Sequence, residues 1–118
     1  MMRNLVLISA LALAACAQTT APSSQAAPQM PAEPQSQAAC LSAGGAWGPV
    51  GLSGTLACTM PSPTAGKVCS DSTECAGQCW SDAAVGTQAK GICQPTNMPF
   101  GCHSEVRDGV VQPAMCAD

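Results

Sequence analysis

The stretch Cys69-Ser70-Asp71-Ser72-Thr73-Glu74-Cys75-Ala76-Gly77-Gln78-Cys79 decides what kind of fold this chain can adopt. Cysteines so crowded serve either a metal ion or disulfide bridges. Zinc sites favour C-x2-C pairs with partners of matching type. No C-x2-C pair occurs anywhere in the chain, and the only histidine is His103. The same absence removes the dithiol redox motif. The cluster therefore reads as three half-cystines, and no metal or other cofactor is expected in the domain.

Working outward, Cys40, Cys58, Cys93, Cys102 and Cys116 join the cluster, so eight cysteines lie between residues 40 and 118, about a tenth of that segment. That is the density of a disulfide scaffold. The same segment holds all eleven glycines and every large aromatic (Trp47, Trp80, Phe100). A chain of this length buries only about 60% of its unfolded surface. Each bridge closing a loop of 10 to 20 residues contributes roughly 3 kcal/mol in the chain-entropy model, more than so small an apolar core supplies. The expectation is a small disulfide-rich domain over residues 40–118, made of short β-hairpins and loops with little helix.

Two hairpins are legible. Residues 47–50 and 55–58 flank Gly51-Leu52-Ser53-Gly54, a four-residue turn. Val106-Arg107 and Val110-Val111 flank Asp108-Gly109, the strongest short-range hairpin signal in the chain. Cys102 and Cys116 straddle this second hairpin one step out of strict register, so their pairing requires a bulge or a splayed end. Ser70 to Glu74 has the form of a capping box, with a single helical turn between Asp71 and Gly77. Eight cysteines allow roughly a hundred connectivities, and spacing alone does not choose among them.

The spacing Cys69-x5-Cys75-x3-Cys79 resembles that of colipase-like and related cysteine-rich modules, whose alternating cysteines interlock. The resemblance implies Cys69–Cys79 and Cys75–Cys93, leaving Cys40–Cys58 and Cys102–Cys116. Over nearly all of residues 40–118 the chain also resembles short cysteine-rich envelope proteins of Gram-negative bacteria. The likeness is carried by Cys40-x3-Gly44-Gly45-x-Trp47, Ala65-Gly66-Lys67-x-Cys69, Cys75-x-Gly77-x-Cys79, Gly91-x-Cys93, Phe100-Gly101-Cys102 and Cys116-x-Asp118. Thr64 departs from it where an acidic residue is expected. This resemblance implies a shared disulfide fold and no particular activity.

Before the domain the composition changes. Residues 17–39 are almost entirely Ala, Gln, Pro, Ser and Thr, with Glu33 the one charge and no glycine. Pro22, Pro28, Pro31 and Pro34 oppose helix and favour extended polyproline II backbone. Residues 16–39 read as a disordered tether, reaching at most ~70 Å at about 3.1 Å per residue.

Residues 1–15 read as an export signal: Arg3 supplies a positive charge, and residues 5–13 an apolar run of nine. Spanning a bilayer takes about 20 apolar residues, so the run is too short to stay as a membrane helix. It closes on Leu13-Ala14-Ala15-Cys16, which resembles the lipobox of bacterial lipoproteins. The resemblance implies cleavage before Cys16, a diacylglyceryl thioether on its sulfur and a fatty acyl group, commonly palmitate, on its amine. Parity agrees: nine cysteines are odd, and setting Cys16 aside leaves eight that can pair. Ala17, rather than Asp, after the lipidated cysteine implies sorting to the outer membrane, with the domain facing the periplasm.

Function is less legible. After removal of Arg3, three basic side chains face seven acidic ones, a balance that argues against nucleic acid, which needs a basic face. No nucleophile, base and orienting group are suggested by the pattern, His103 reads as a solvated loop residue, and Asp71, Glu74 and Asp82 as a solvated acidic loop. No enzyme is expected. Two classes remain: a membrane-tethered module presenting loops to an envelope protein or glycan, with Trp80, residues 81–90 and residues 95–100 as candidates, or a small inhibitor of a protease or other hydrolase, with residues 81–91 as its loop and Lys90 as its specificity residue. An inhibitor loop would be strained, exposed and bridged near both ends; a docking module would show a contiguous apolar patch.

Overall fold

The computed structural model describes residues 26–118. The export signal, Cys16 and the start of the tether lie outside the described residues. Residues 26–35 carry no helix or strand. The folded part begins with α1 (Gln37–Ser42), three residues inside the segment read as tether. Ser36 caps this helix, its hydroxyl accepting a hydrogen bond from the Ala39 amide at 3.2 Å. So short a helix is not stable alone; Cys40, fully buried and bridged to Cys58, fixes it in place. The boundary at residue 40 therefore moves back to Ser36, because a bridged cysteine orders the turn that carries it.

The first hairpin pairs β1 (Ala46–Val50) with β2 (Thr55–Thr59), Val50 opposite Thr55, so the turn is Gly51 to Gly54 as expected. Cys40, Cys58 and Met60 are its buried core, and Trp47 packs against them. Asn97 joins this unit to the rest of the domain. Its side-chain oxygen accepts from the Met60 amide at 2.7 Å, and its side-chain nitrogen donates to the Cys58 carbonyl at 3.0 Å.

The remaining strands form one antiparallel sheet. β3 (Val68–Cys69), β5 (Gly91–Cys93), β4 (Cys79–Ser81) and β6 (Gly101–Arg107) lie side by side in that order. Beyond β6 runs a return strand in two pieces, β7 (Val110–Val111) and β8 (Met115–Ala117). Arg107 faces Val110 across Asp108-Gly109, both with positive φ (49° and 76°), the geometry of a type I′ turn. Val106 pairs with Val111, yet Cys102 pairs with Cys116, so the return strand has gained one residue between them. That extra residue falls at Pro113-Ala114, where proline has no amide to give to the ladder. The bulge brings Cys102 and Cys116 opposite each other.

Four disulfides close the domain: Cys40–Cys58, Cys69–Cys79, Cys75–Cys93 and Cys102–Cys116. They join the pairs the interlocking pattern implies. Side chains alternate across a strand, so the ladder registers sort the sheet into two faces. One face carries Cys69, Cys79, Cys93, Val106 and Val111, which with Cys75 form the main buried core. Two bridges and two valines do most of the work that larger apolar residues perform in an ordinary domain. The turn over Asp71 to Gly77 narrows to one 3₁₀ turn, Ser72–Glu74. Asp71 caps it by accepting from Thr73, and the Glu74 carboxylate accepts from the Ser70 amide at 2.8 Å.

Candidate functional site

The opposite face of the sheet is built by the same registers. Val68 stands opposite Ile92, Ile92 opposite Trp80, and Trp80 opposite Glu105. His103, two residues before Glu105 on β6, lies diagonal to Trp80 and opposite Met115. Diagonal neighbours on one face are within reach of aromatic side chains. Here the rings of Trp80 and His103 stack, centroids 3.6 Å apart and planes 1° from parallel. Val68, Ile92 and Met115 are exposed by 59%, 47% and 77%. An apolar strip therefore crosses five strands, from Val68 through Ile92, the Trp80–His103 stack and on to Met115.

The stack is held from both sides. Trp80 Nε1 donates to the Gln78 side-chain oxygen at 2.9 Å, and His103 Nε2 to the Phe100 carbonyl at 2.9 Å. This corrects the placement of His103: it is a half-buried strand residue, not a loop residue, because Trp80 covers one face of its ring. Beside it an open groove of about 510 Å³ runs between β6 and the return strand, lined by His103, Glu105, Arg107, Pro113 and Met115 among others. Arg107 is the exposed cation of this groove; its NH2 nitrogen lies 2.7 Å from the Glu105 carboxylate. Partial burial tends to raise the Glu105 carboxyl, but hydrogen bonds from Arg107 and Ser72, with the Arg107 charge, outweigh it and hold it below the usual range.

Other candidates fare differently. Residues 82–88 are exposed, but the loop is sewn down: Gly86 donates to the Val111 carbonyl, Val111 to Thr87 and Ala89 to Gly109. Its only positive φ is at Gly86, so its backbone is unstrained. Lys90 Nζ is bound to the Ser70 hydroxyl at 2.5 Å and does not project. Residues 96–98 and Phe100 are half-buried rather than displayed, since Asn97 serves the internal clamp. Asp71 does not form a freely solvated loop carboxylate. Backbone amides of Asp108 and then Thr73 donate to it, and its pKa falls to about 2.

The sulfurs of Cys69, Cys75 and Cys79 lie within 4.8 Å of one another, close enough to suggest a metal cluster. Each is consumed in a disulfide, and their closeness follows from stacking the Cys69–Cys79 bridge on Cys75–Cys93. Metal ligation needs thiolates. Gln94 carries no sequence signal, yet it is only 5% exposed; its side-chain oxygen accepts from the Gln78 amide at 2.8 Å and its side-chain nitrogen donates to the Thr96 carbonyl. It positions Gln78, and through Gln78 the Trp80 indole. No family model matches this chain, and comparisons with curated proteins and with solved structures find no match.

Proposed function

We propose that this chain is a lipid-anchored protein of the bacterial cell envelope whose domain docks a partner, protein or glycan, on the outer sheet face. The observation that carries the docking reading is the contiguous strip from Val68 to Met115: a small domain with so few large apolar residues leaves three of them exposed side by side around an aromatic stack. The inhibitor alternative loses support because residues 81–91 are pinned to the return strand and unstrained.

The anchor rests on the sequence. The four bridges use eight of the nine cysteines, and the lipobox gives the ninth, Cys16, its role. Two or three acyl chains anchor a protein stably to a membrane, whereas one chain binds marginally. Ala17 favours the outer membrane, with the domain facing the periplasm.

The test is site-specific photo-crosslinking in intact cells, with the photoreactive residue at Ile92, at Met115, at Leu52 on the hairpin tip, or at Ala84 in the pinned loop. Adducts at Ile92 and Met115, and none at Leu52 or Ala84, are expected. Adducts confined to Ala84 would transfer the function to the loop and revive an inhibitor.

A further inference from the structure

The four bridges differ in where they stand. Six half-cystines lie in the two buried cores, none more than 4% exposed, whereas Cys102 and Cys116 belong to neither core and are both exposed. Thiol–disulfide exchange requires a thiolate to reach a bridge sulfur, so access separates this bridge from the other three. A dithiol in solution meets Cys102–Cys116 on the folded domain; it meets the others only after a core has opened.

What this bridge holds is equally distinct. The return strand is fixed as far as Gln112: Val111 is buried in the main core, and the Gln112 amide donates to the Glu105 carbonyl at 2.8 Å. Past Pro113-Ala114, where the ladder is interrupted, no residue through Asp118 is buried. β8 keeps its place by three residue pairs with β6, the bridge joining the middle pair. The Asp118 backbone rests on Gly51, which offers no side chain to grip it. So short a pairing without an apolar face is marginal in water unless something else holds it. Pro113, Met115, Cys116 and Ala117 also line the groove beside His103, so the segment that the bridge holds is one wall of that groove.

We propose that Cys102–Cys116 is a thiol–disulfide exchange site for a dithiol, and that its reduction releases residues 113–118 and opens the groove while both cores stay closed. One thiolate of the dithiol attacks a bridge sulfur, the bridge breaks, and the other cysteine leaves as a thiolate. The second thiolate of the dithiol then attacks its own sulfur in the mixed disulfide and expels the remaining cysteine. The dithiol ends as a disulfide, oxidised by two electrons, and its two protons end on Cys102 and Cys116. The release does not depend on the docking reading; its consequence for that reading is that Met115 leaves the apolar strip.

The experiment uses the full chain carrying Cys16→Ser, so that no lipid is added, and measures amide hydrogen exchange by peptide mass spectrometry. The oxidised chain is compared with the same chain carrying Cys102→Ser and Cys116→Ser, and with the oxidised chain after graded treatment with dithiothreitol. In the double variant residues 115–117 should exchange as fast as residues 26–35, which have no helix or strand, while residues 79–81 and 91–93 stay protected. Dithiothreitol should give the same pattern at the step where alkylation maps to Cys102 and Cys116 alone; because it acts on the folded chain, this arm does not depend on the variant's folding. Residues 115–117 still protected with the bridge open would overturn the release. Protection lost across the whole sheet, or Cys75–Cys93 reduced in step with Cys102–Cys116, would overturn the separate exchange site. None of these outcomes bears on crosslinking at Ile92, which tests the docking reading by itself.

Discussion

Replacing Gly91 by alanine tests whether the packing between β4 and β5 holds the domain as tightly as the structure requires. Gly91 is buried on β5, opposite Cys69. A Cβ at this position would lie 2.4 Å from the Trp80 carbonyl oxygen and 2.8 Å from the Cys79 sulfur. Neither atom can yield cheaply: the carbonyl belongs to the neighbouring strand's backbone, and the sulfur to the Cys69–Cys79 bridge. Reaching ordinary contact requires the strands to part by about 1 Å, which disrupts close packing throughout the interior. Overpacking typically costs about 1–3 kcal/mol, and with both neighbours fixed the upper end, about 3 kcal/mol, applies. At about 4–8 °C per kcal/mol for a domain of this size, Gly91→Ala should lower Tm by more than ~10 °C. Gly48→Ala is the control, because a Cβ there meets nothing within 4 Å; it should change stability by less than about 0.5 kcal/mol. Calorimetry without reductant measures both. A Gly91→Ala domain melting within a few degrees of Gly48→Ala would refute the reasoning.

Three other outcomes are expected. The Asp71 pKa lies at about 2 against an ordinary 3.8, so its contribution to stability is complete above the ordinary value and is lost as pH falls towards 2; Asp71→Asn should flatten acid unfolding in that window, and superimposable curves would contradict the two amide bonds. Cys102 and Cys116 are both exposed whereas the other six half-cystines are buried, so graded reduction followed by alkylation and peptide mapping should label these two first; earlier labelling at Cys75 or Cys93 would reverse that order. Intact mass of the membrane-extracted protein should show a chain starting at Cys16 with a diacylglyceryl group, and a soluble unmodified chain starting later would remove the anchor.

The local features were the legible ones. The turns at residues 51–54 and 108–109 are written in glycine and Asp-Gly chemistry, which acts within four residues and needs no tertiary partner. The need for a bulge before Cys116 was likewise a matter of counting along one hairpin. The alanines before Cys40 allow a weak helix, but its place at Gln37 is not legible in the sequence, because its own propensity is weak and the Cys40–Cys58 bridge stabilises it.

By itself, then, the sequence determined a small disulfide-stapled fold with those two hairpins, since cysteine density and turn residues act through composition and short range. Tertiary structure alone decided the site. Trp80 and His103 are brought together by a strand order, β3, β5, β4, β6, that departs from chain order, and period-two alternation then decides which residues share a face. Burial of Gln94 and the clamp at Asn97 depended in the same way on backbone groups supplied by distant segments. A polar side chain reads alike in sequence whether it meets water or a buried amide, and only the folded chain supplies the amide.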